Sequence, residues 1–132
     1  MNEVPSGVAD RIAARGGRIG DLAVAAGLCG SPPGLCLALA GSLGNDNSRD
    51  FGELAQASLA ALSGGDALIL DLSGLEYISS TGVGTLTTLL AEARRREAFL
   101  FLRGMQPKVR AVFDVLGFSE FFSFLEDGGS NA

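Results

Sequence analysis

Two unbroken apolar runs, Ala67-Leu68-Ile69-Leu70 and Phe99-Leu100-Phe101-Leu102, have the pattern of strands buried inside a parallel sheet. The first run leads into Asp71-Leu72-Ser73-Gly74, which predicts a tight turn. Between the runs, Val83, Leu86, Leu89, Leu90 and Ala93 recur at helical spacing, with Arg94, Arg95 and Arg96 in the last turn. A crossover helix of this kind is what two parallel strands require. A second helical face, Phe51, Leu54, Ala55, Leu59 and Leu62, precedes Ser63-Gly64-Gly65, with Asn47 as its N-cap and Asp50 completing a capping-box variant. A third, Val109, Val112, Phe113 and Leu116, starts at Gln106-Pro107 and stops at Gly117. Phe118, Phe121, Phe122, Phe124 and Leu125 then supply a last strand or edge segment.

The first third of the chain is less regular. Met1 to Gly17 is polar and rich in small residues and predicts a frayed arm, with a short helix open to Val8–Arg15. Ile19 to Cys29 and Leu35 to Ala40, separated by Ser31-Pro32-Pro33-Gly34, predict a hairpin. If its loop is only Pro32-Pro33, Cys29 and Cys36 face each other across the ladder and approach disulfide range; otherwise they are two reduced, partly buried thiols. Arg11, Arg15 and Arg18 ahead of Leu22–Cys29 imitate a secretory leader, but Asp21 opens the apolar stretch and the turn interrupts it. The same break keeps the Gly20–Gly41 span from crossing a bilayer.

With 132 residues, 47% of them apolar, the chain is expected to form one domain with a real core. Strands alternating with helices after an opening hairpin give an α/β class: a mixed, mostly parallel sheet packed with helices. The expected organisation is an arm over 1–17, the domain over 18–127 and a disordered tail over 128–132. Fifteen acidic against ten basic residues leave a net charge of −5, which argues against nucleic acid or an anionic membrane as partner and for a protein. With no histidine and two cysteines, neither a zinc site nor histidine acid–base catalysis can be built. No catalytic residue, metal site or cofactor is expected.

What remains is a hydroxyl cluster, Ser79-Ser80-Thr81, just before Gly82 at the start of the crossover helix. A helix N-terminus has unsatisfied N–H groups and a positive dipole end, so it tolerates an added phosphate well. Alternatively, the three hydroxyls simply cap the helix.

The stretch Asp71-Leu72-Ser73-Gly74-Leu75-Glu76-Tyr77-Ile78-Ser79-Ser80-Thr81-Gly82-Val83-Gly84 resembles the signature of the STAS domain family, in particular the bacterial anti-sigma-factor antagonists. The resemblance extends over about Gly34 to Leu125. It implies a phosphoacceptor at Thr81, with Ser80 second, and a partner surface of Ser79, Ser80, Thr81, Gly82, Val83 and Gly84 together with Asn45 and Asp46 of the preceding loop. It further implies a cytoplasmic protein whose partner is an anti-sigma factor serine/threonine kinase, with a PP2C-type phosphatase to reset it. Two positions depart from the family pattern: Gly44 stands where many members carry an acid, and Ser79 replaces the acid two before the phosphoacceptor. The family also includes subunits that brace an ABC transporter ATPase without phosphorylation. Members usually end in a further helix, and the sequence Glu126–Ala132 leaves that helix short or missing.

Overall fold

The structure, a computed structural model, describes residues 2–30 and 32–125. Six strands form one sheet in sequential order, and helices alternate with them after the opening hairpin. β1 (Arg18–Ile19), β2 (Leu22–Gly30) and β3 (Pro33–Leu43) are antiparallel neighbours. β3, β4 (Ala67–Ile78), β5 (Phe99–Arg103) and β6 (Ser123–Leu125) run parallel. The parallel strands are joined by α2 (Ser48–Ala60), α3 (Ser80–Arg95) and α4 (Pro107–Leu116), the last followed by a 3-10 turn at Ser119–Phe121. This is the expected α/β architecture.

Side-chain alternation sends Leu35, Leu37 and Leu39, then Leu68, Leu70 and Leu72, then Leu100 and Leu102 into one buried cluster with the inner faces of the helices. Phe51, Leu54 and Leu59 of α2, Val83, Leu86 and Leu89 of α3, and Val109 and Phe113 of α4 all belong to it. The opposite face carries a small cluster made only of sheet residues, Cys36, Ala67 and Ile69 with Cys29, Phe101 and Leu125 against them. The described residues thus make two layers.

Four expectations are corrected. The run expected as one strand from Ile19 to Cys29 is broken at Gly20-Asp21, where Gly20 takes φ +61° and the chain reverses from β1 into β2. Cys29 pairs with Gly34 and Cys36 with Gly27, so the two cysteines are diagonal rather than opposite; β2 ends at Gly30 and β3 begins at Pro33, one residue earlier than a Pro32-Pro33 loop allows. Nor does the chain turn at Asp71–Gly74, because β4 continues to Ile78 beside a longer β3. Leu72, Leu75 and Ile78 are all buried although they are three apart, a spacing no regular strand holds on one face. Two register shifts, from Ala38↔Asp71 to Ala40↔Gly74 and from Gly41↔Leu75 to Ser42↔Tyr77, each insert the residue that restores the alternation. Finally, within the segment expected as a frayed arm the short helix left open to Val8–Arg15 forms, as α1, Ser6–Ala14, and it is docked rather than frayed: Val8 is 1% exposed and joins the main core, with Ile12 packed beside it. Two apolar anchors one turn apart suffice to dock so short a helix. The expectations for 126–132 lie outside the described residues.

Asp71, where a turn was expected, instead organises the polar part of the open face. Its Oδ1 accepts from the backbone N–H and hydroxyl of Ser73 at 3.0 and 2.8 Å, and its Oδ2 pairs with Arg103 at 3.2 Å. Burial pushes this carboxyl up, but the hydrogen bonds from Ser73 and the Arg103 guanidinium outweigh it and hold the group below its ordinary 3.8. A carboxylate lowered on folding contributes stability above its unfolded value and loses it as pH falls through the folded one. Asp71→Asn is therefore expected to be less stable than wild type at neutral pH. In urea unfolding the difference should fade below about pH 4.

Candidate functional site

The parallel strands deliver β3 and β4 to one edge of the sheet, where α2 and α3 begin. Leu43 ends β3 and its carbonyl accepts from the Ser79 N–H at 2.9 Å, tying the start of α3 to the end of the neighbouring strand. Ser79 is the N-cap: its backbone is extended, its side chain is 8% exposed and its Oγ accepts from the Gly82 N–H at 3.0 Å. Ser80 and Thr81, the next two residues, are exposed in the first turn. The cluster is thus divided between one buried cap and two accessible hydroxyls. An aspartate at position 79 would also cap, so serine there keeps the hydrogen bond and omits the charge. Ser79→Ala is expected to cost about 1 kcal/mol in urea unfolding, and Ser79→Asp to cost less.

Gly82 and Val83, expected in the partner surface, lie inside. A Cβ on Gly82 would stand 2.7 Å from Ile78 Cγ1 and 2.9 Å from the Leu43 carbonyl oxygen, so glycine lets the helix settle onto the strand ends. Val83 is fully buried in the main core. Gly84 is exposed, and a Cβ there would meet nothing within 4 Å. Its fold does not require glycine at this point, and a helix-interior glycine costs about 1 kcal/mol relative to alanine.

The loop between β3 and α2 supplies the other half of the site. Asn47 stands at the N-cap position of α2 but makes no side-chain cap bond. It turns back instead, 3% exposed, with Oδ1 accepting from the Gly44 N–H at 2.8 Å and Nδ2 donating to the Ile19 and Ser42 carbonyls at 2.9 and 3.0 Å. The expected capping box is replaced by a clasp that joins β1, the end of β3 and the loop. Ser48 closes the same turn through its backbone N–H and its hydroxyl, both donating to the Gly44 carbonyl. Asn45 and Asp46 are left exposed at the tip.

Sequence reasoning missed Tyr77. It is 54% exposed, and its ring edge lies 3.8 Å from the position a Cβ on Gly44 would occupy. A large aromatic two residues before the helix cap was a readable signal, since exposed aromatics favour interfaces. The exposed members of the site are Asn45, Asp46, Tyr77, Ser80, Thr81 and Gly84. No group of metal-ligating side chains occurs among the described residues. A shallow groove of about 630 Å³ runs between α2 and α3, lined by Gly52, Gln56, Thr85 and Thr88 with Arg11 and Arg49 at its margin. No helix among the described residues is long and apolar enough to cross a membrane.

Residues 31–126 match the family model described as Mlab, STAS domain. A protein of Bordetella bronchiseptica assigned as an anti-sigma factor antagonist, BtrV, is 36% identical over 78 residues, 58% of this chain and 66% of the relative. The chain thus spans just under two thirds of that relative. Among solved structures, an anti-sigma-factor antagonist (STAS) domain protein from Planctomyces limnophilus has a TM-score of 0.66 at 12% identity, covering 80% of this chain and 91% of that one. The Bacillus cell fate determinant SpoIIAA in its phosphorylated form has a TM-score of 0.60 at 17% identity, covering 80% and 92%. At such identities the two structures share the fold.

Proposed function

This chain belongs to the STAS domain family, and from that premise we propose that it is a cytoplasmic anti-sigma-factor antagonist, switched off by phosphorylation of Thr81. One observation carries the reading: Thr81 is exposed in the first turn of α3, at the sheet edge where the Leu43–Ser79 bond ties α3 to the end of β3, while the cap below it is already made by Ser79. A hydroxyl the fold does not use is free for modification. The similarity to a structure described as phosphorylated, and to BtrV, supports the same reading.

The physical mechanism follows from where the charge goes. Phosphorylation adds about −1.5 to −2 charges and three strong acceptors. Within the protein this group sits at a helix N-terminus, next to free N–H groups and the positive dipole end, so the fold tolerates it. Within a docked complex it would face the partner's surface and lose its water, which breaks the contact unless a cation is waiting. The partner is an anti-sigma factor kinase that supplies ATP and the catalytic groups; a PP2C-type phosphatase restores the hydroxyl. This chain provides the acceptor and the docking surface and performs no catalysis of its own. Asn45, Asp46, Tyr77, Ser80 and Gly84 form that surface, and Gly84 admits a partner's close approach. Gly82 and Val83 act from beneath it.

The test is capture of partners from the native cell's lysate by wild type, Thr81→Ala and Thr81→Asp, with ATP or ADP, followed by identification. An ATP-binding anti-sigma kinase retained by wild type and Thr81→Ala but lost by Thr81→Asp is the expected result. An ABC transporter ATPase held equally by all three would replace the switch with a bracing subunit.

A further inference from the structure

The sheet face away from the helices holds two cysteines that the reading above does not use. Cys29 on β2 pairs with Gly34, and Cys36 on β3 pairs with Gly27, so the two side chains emerge on the same face one diagonal step apart. A single guanidinium reaches both: Arg103 Nη1 lies 3.8 Å from Cys29 Sγ and Nη2 lies 3.5 Å from Cys36 Sγ, while Nη2 also binds Asp71 at 3.2 Å. Both thiols are free, Cys29 half-buried and Cys36 at 9% exposure.

We propose that Cys29 and Cys36 form a redox-active thiol pair that a hydroperoxide closes to a reversible disulfide. The roles divide by access and environment. Cys29 is the sulfur a small peroxide reaches, and the Arg103 guanidinium stands beside it. Burial first, and the neighbouring Cys29 after it, push the Cys36 thiol up to about 11 against the lowering effect of Arg103, so Cys36 is the less reactive sulfur of the pair.

The Cys29 thiolate attacks one oxygen of the hydroperoxide and breaks the O–O bond. Cys29 becomes a sulfenic acid, and the other oxygen leaves, taking a proton, as water or an alcohol. Cys36 sulfur then attacks Cys29 sulfur; the S–O bond breaks as the S–S bond forms, and the departing hydroxide takes the Cys36 proton as water. Two thiols and one hydroperoxide yield one disulfide, one alcohol or water, and one further water. An external dithiol reverses the step by exchange.

The backbone leaves room for closure. β3 is fixed against β4, where a Cβ on Gly34 would stand only 2.0 Å from the Ala67 carbonyl oxygen. β2 beyond Ala23 pairs with β3 alone, and Cys29 is one residue from the end of the strand. A diagonal pair lies beyond disulfide reach in a regular ladder, so closure requires the last pairs of the hairpin, Cys29–Gly34 and Gly30–Pro33, to slip while β3 stays in place.

The experiment treats full-length protein with hydrogen peroxide, follows the thiol titre with time and measures intact mass. The titre is expected to fall from two per chain to none, with the mass lower by two hydrogens, no cross-linked dimer on a non-reducing gel, and recovery of both thiols with dithiothreitol. Cys36→Ser should stop at a Cys29 sulfenic acid that dimedone traps, and Cys29→Ser should leave Cys36 unreacted over the same time. Arg103→Gln, with its fold checked by circular dichroism, should react about tenfold more slowly. A titre that stays at two, a rate no greater than that of the urea-unfolded chain, disulfide-linked dimers, or an Arg103→Gln rate equal to wild type would overturn the proposal.

Discussion

Replacing Gly82 by alanine is expected to cost about 2–4 kcal/mol of folding stability, a large effect for one methyl group. The new Cβ would meet Ile78 Cγ1 at 2.7 Å and the Leu43 carbonyl oxygen at 2.9 Å. The isoleucine side chain can move by changing rotamer. The carbonyl cannot, because it already accepts the Ser79 N–H at 2.9 Å and belongs to the last residue of β3. Relief must therefore come from lifting the first turn of α3, which loosens the Ser79 cap and displaces Ser80 and Thr81. Urea unfolding reads the stability. Faster amide exchange at Ser80–Val83 reads the displacement, and a loss spread evenly over the chain would speak against this local cause.

Asn47→Ala is expected to cost a similar amount, about 2–4 kcal/mol, for a different reason. The side chain is buried and satisfies three backbone groups at once: the Gly44 N–H and the carbonyls of Ile19 and Ser42. Alanine removes the side-chain partner of all three, the Ile19 bond buried and the other two partly so, and an unsatisfied buried group costs about 1–3 kcal/mol. Asn47→Asp distinguishes this clasp from an ordinary helix cap. Aspartate is as good a cap as asparagine, but here its second oxygen would face two carbonyl oxygens. Thermal unfolding should show Asn47→Asp no better than Asn47→Ala; wild-type stability for Asn47→Asp would mean the residue only caps α2.

These two residues show where the sequence is legible. Strand and helix periodicity placed β4, β5 and the three larger helices because each buries a continuous face, and burial of a continuous face leaves a local pattern. The hydroxyl cluster was found at the right helix end for the same reason. The division of labour within it was not visible: which hydroxyl caps and which is free depends on the Leu43–Ser79 bond between the end of β3 and the start of α3, far apart in sequence. Asn47 has the local signature of a cap and makes contacts 28 and 5 residues away, so tertiary partners overrode local preference. In β4, Asp71-Leu72-Ser73-Gly74 has the local signature of a turn, and the bulges beside β3 that carry the strand through it leave no mark in the sequence. Val8 gave too few neighbours in sequence to predict that its helix would dock.

The accessible Thr81 hydroxyl is the centre of the proposed function, and the most direct measurement is site-resolved mass spectrometry of the protein after incubation with ATP and the kinase it retains, coupled to binding of the product. One phosphate at Thr81, with the phosphorylated form at least about a hundredfold weaker for the kinase than the unmodified form, is the predicted result. No phosphate on the Ser80–Thr81 pair, or a phosphorylated form that binds as tightly as before, would contradict the account.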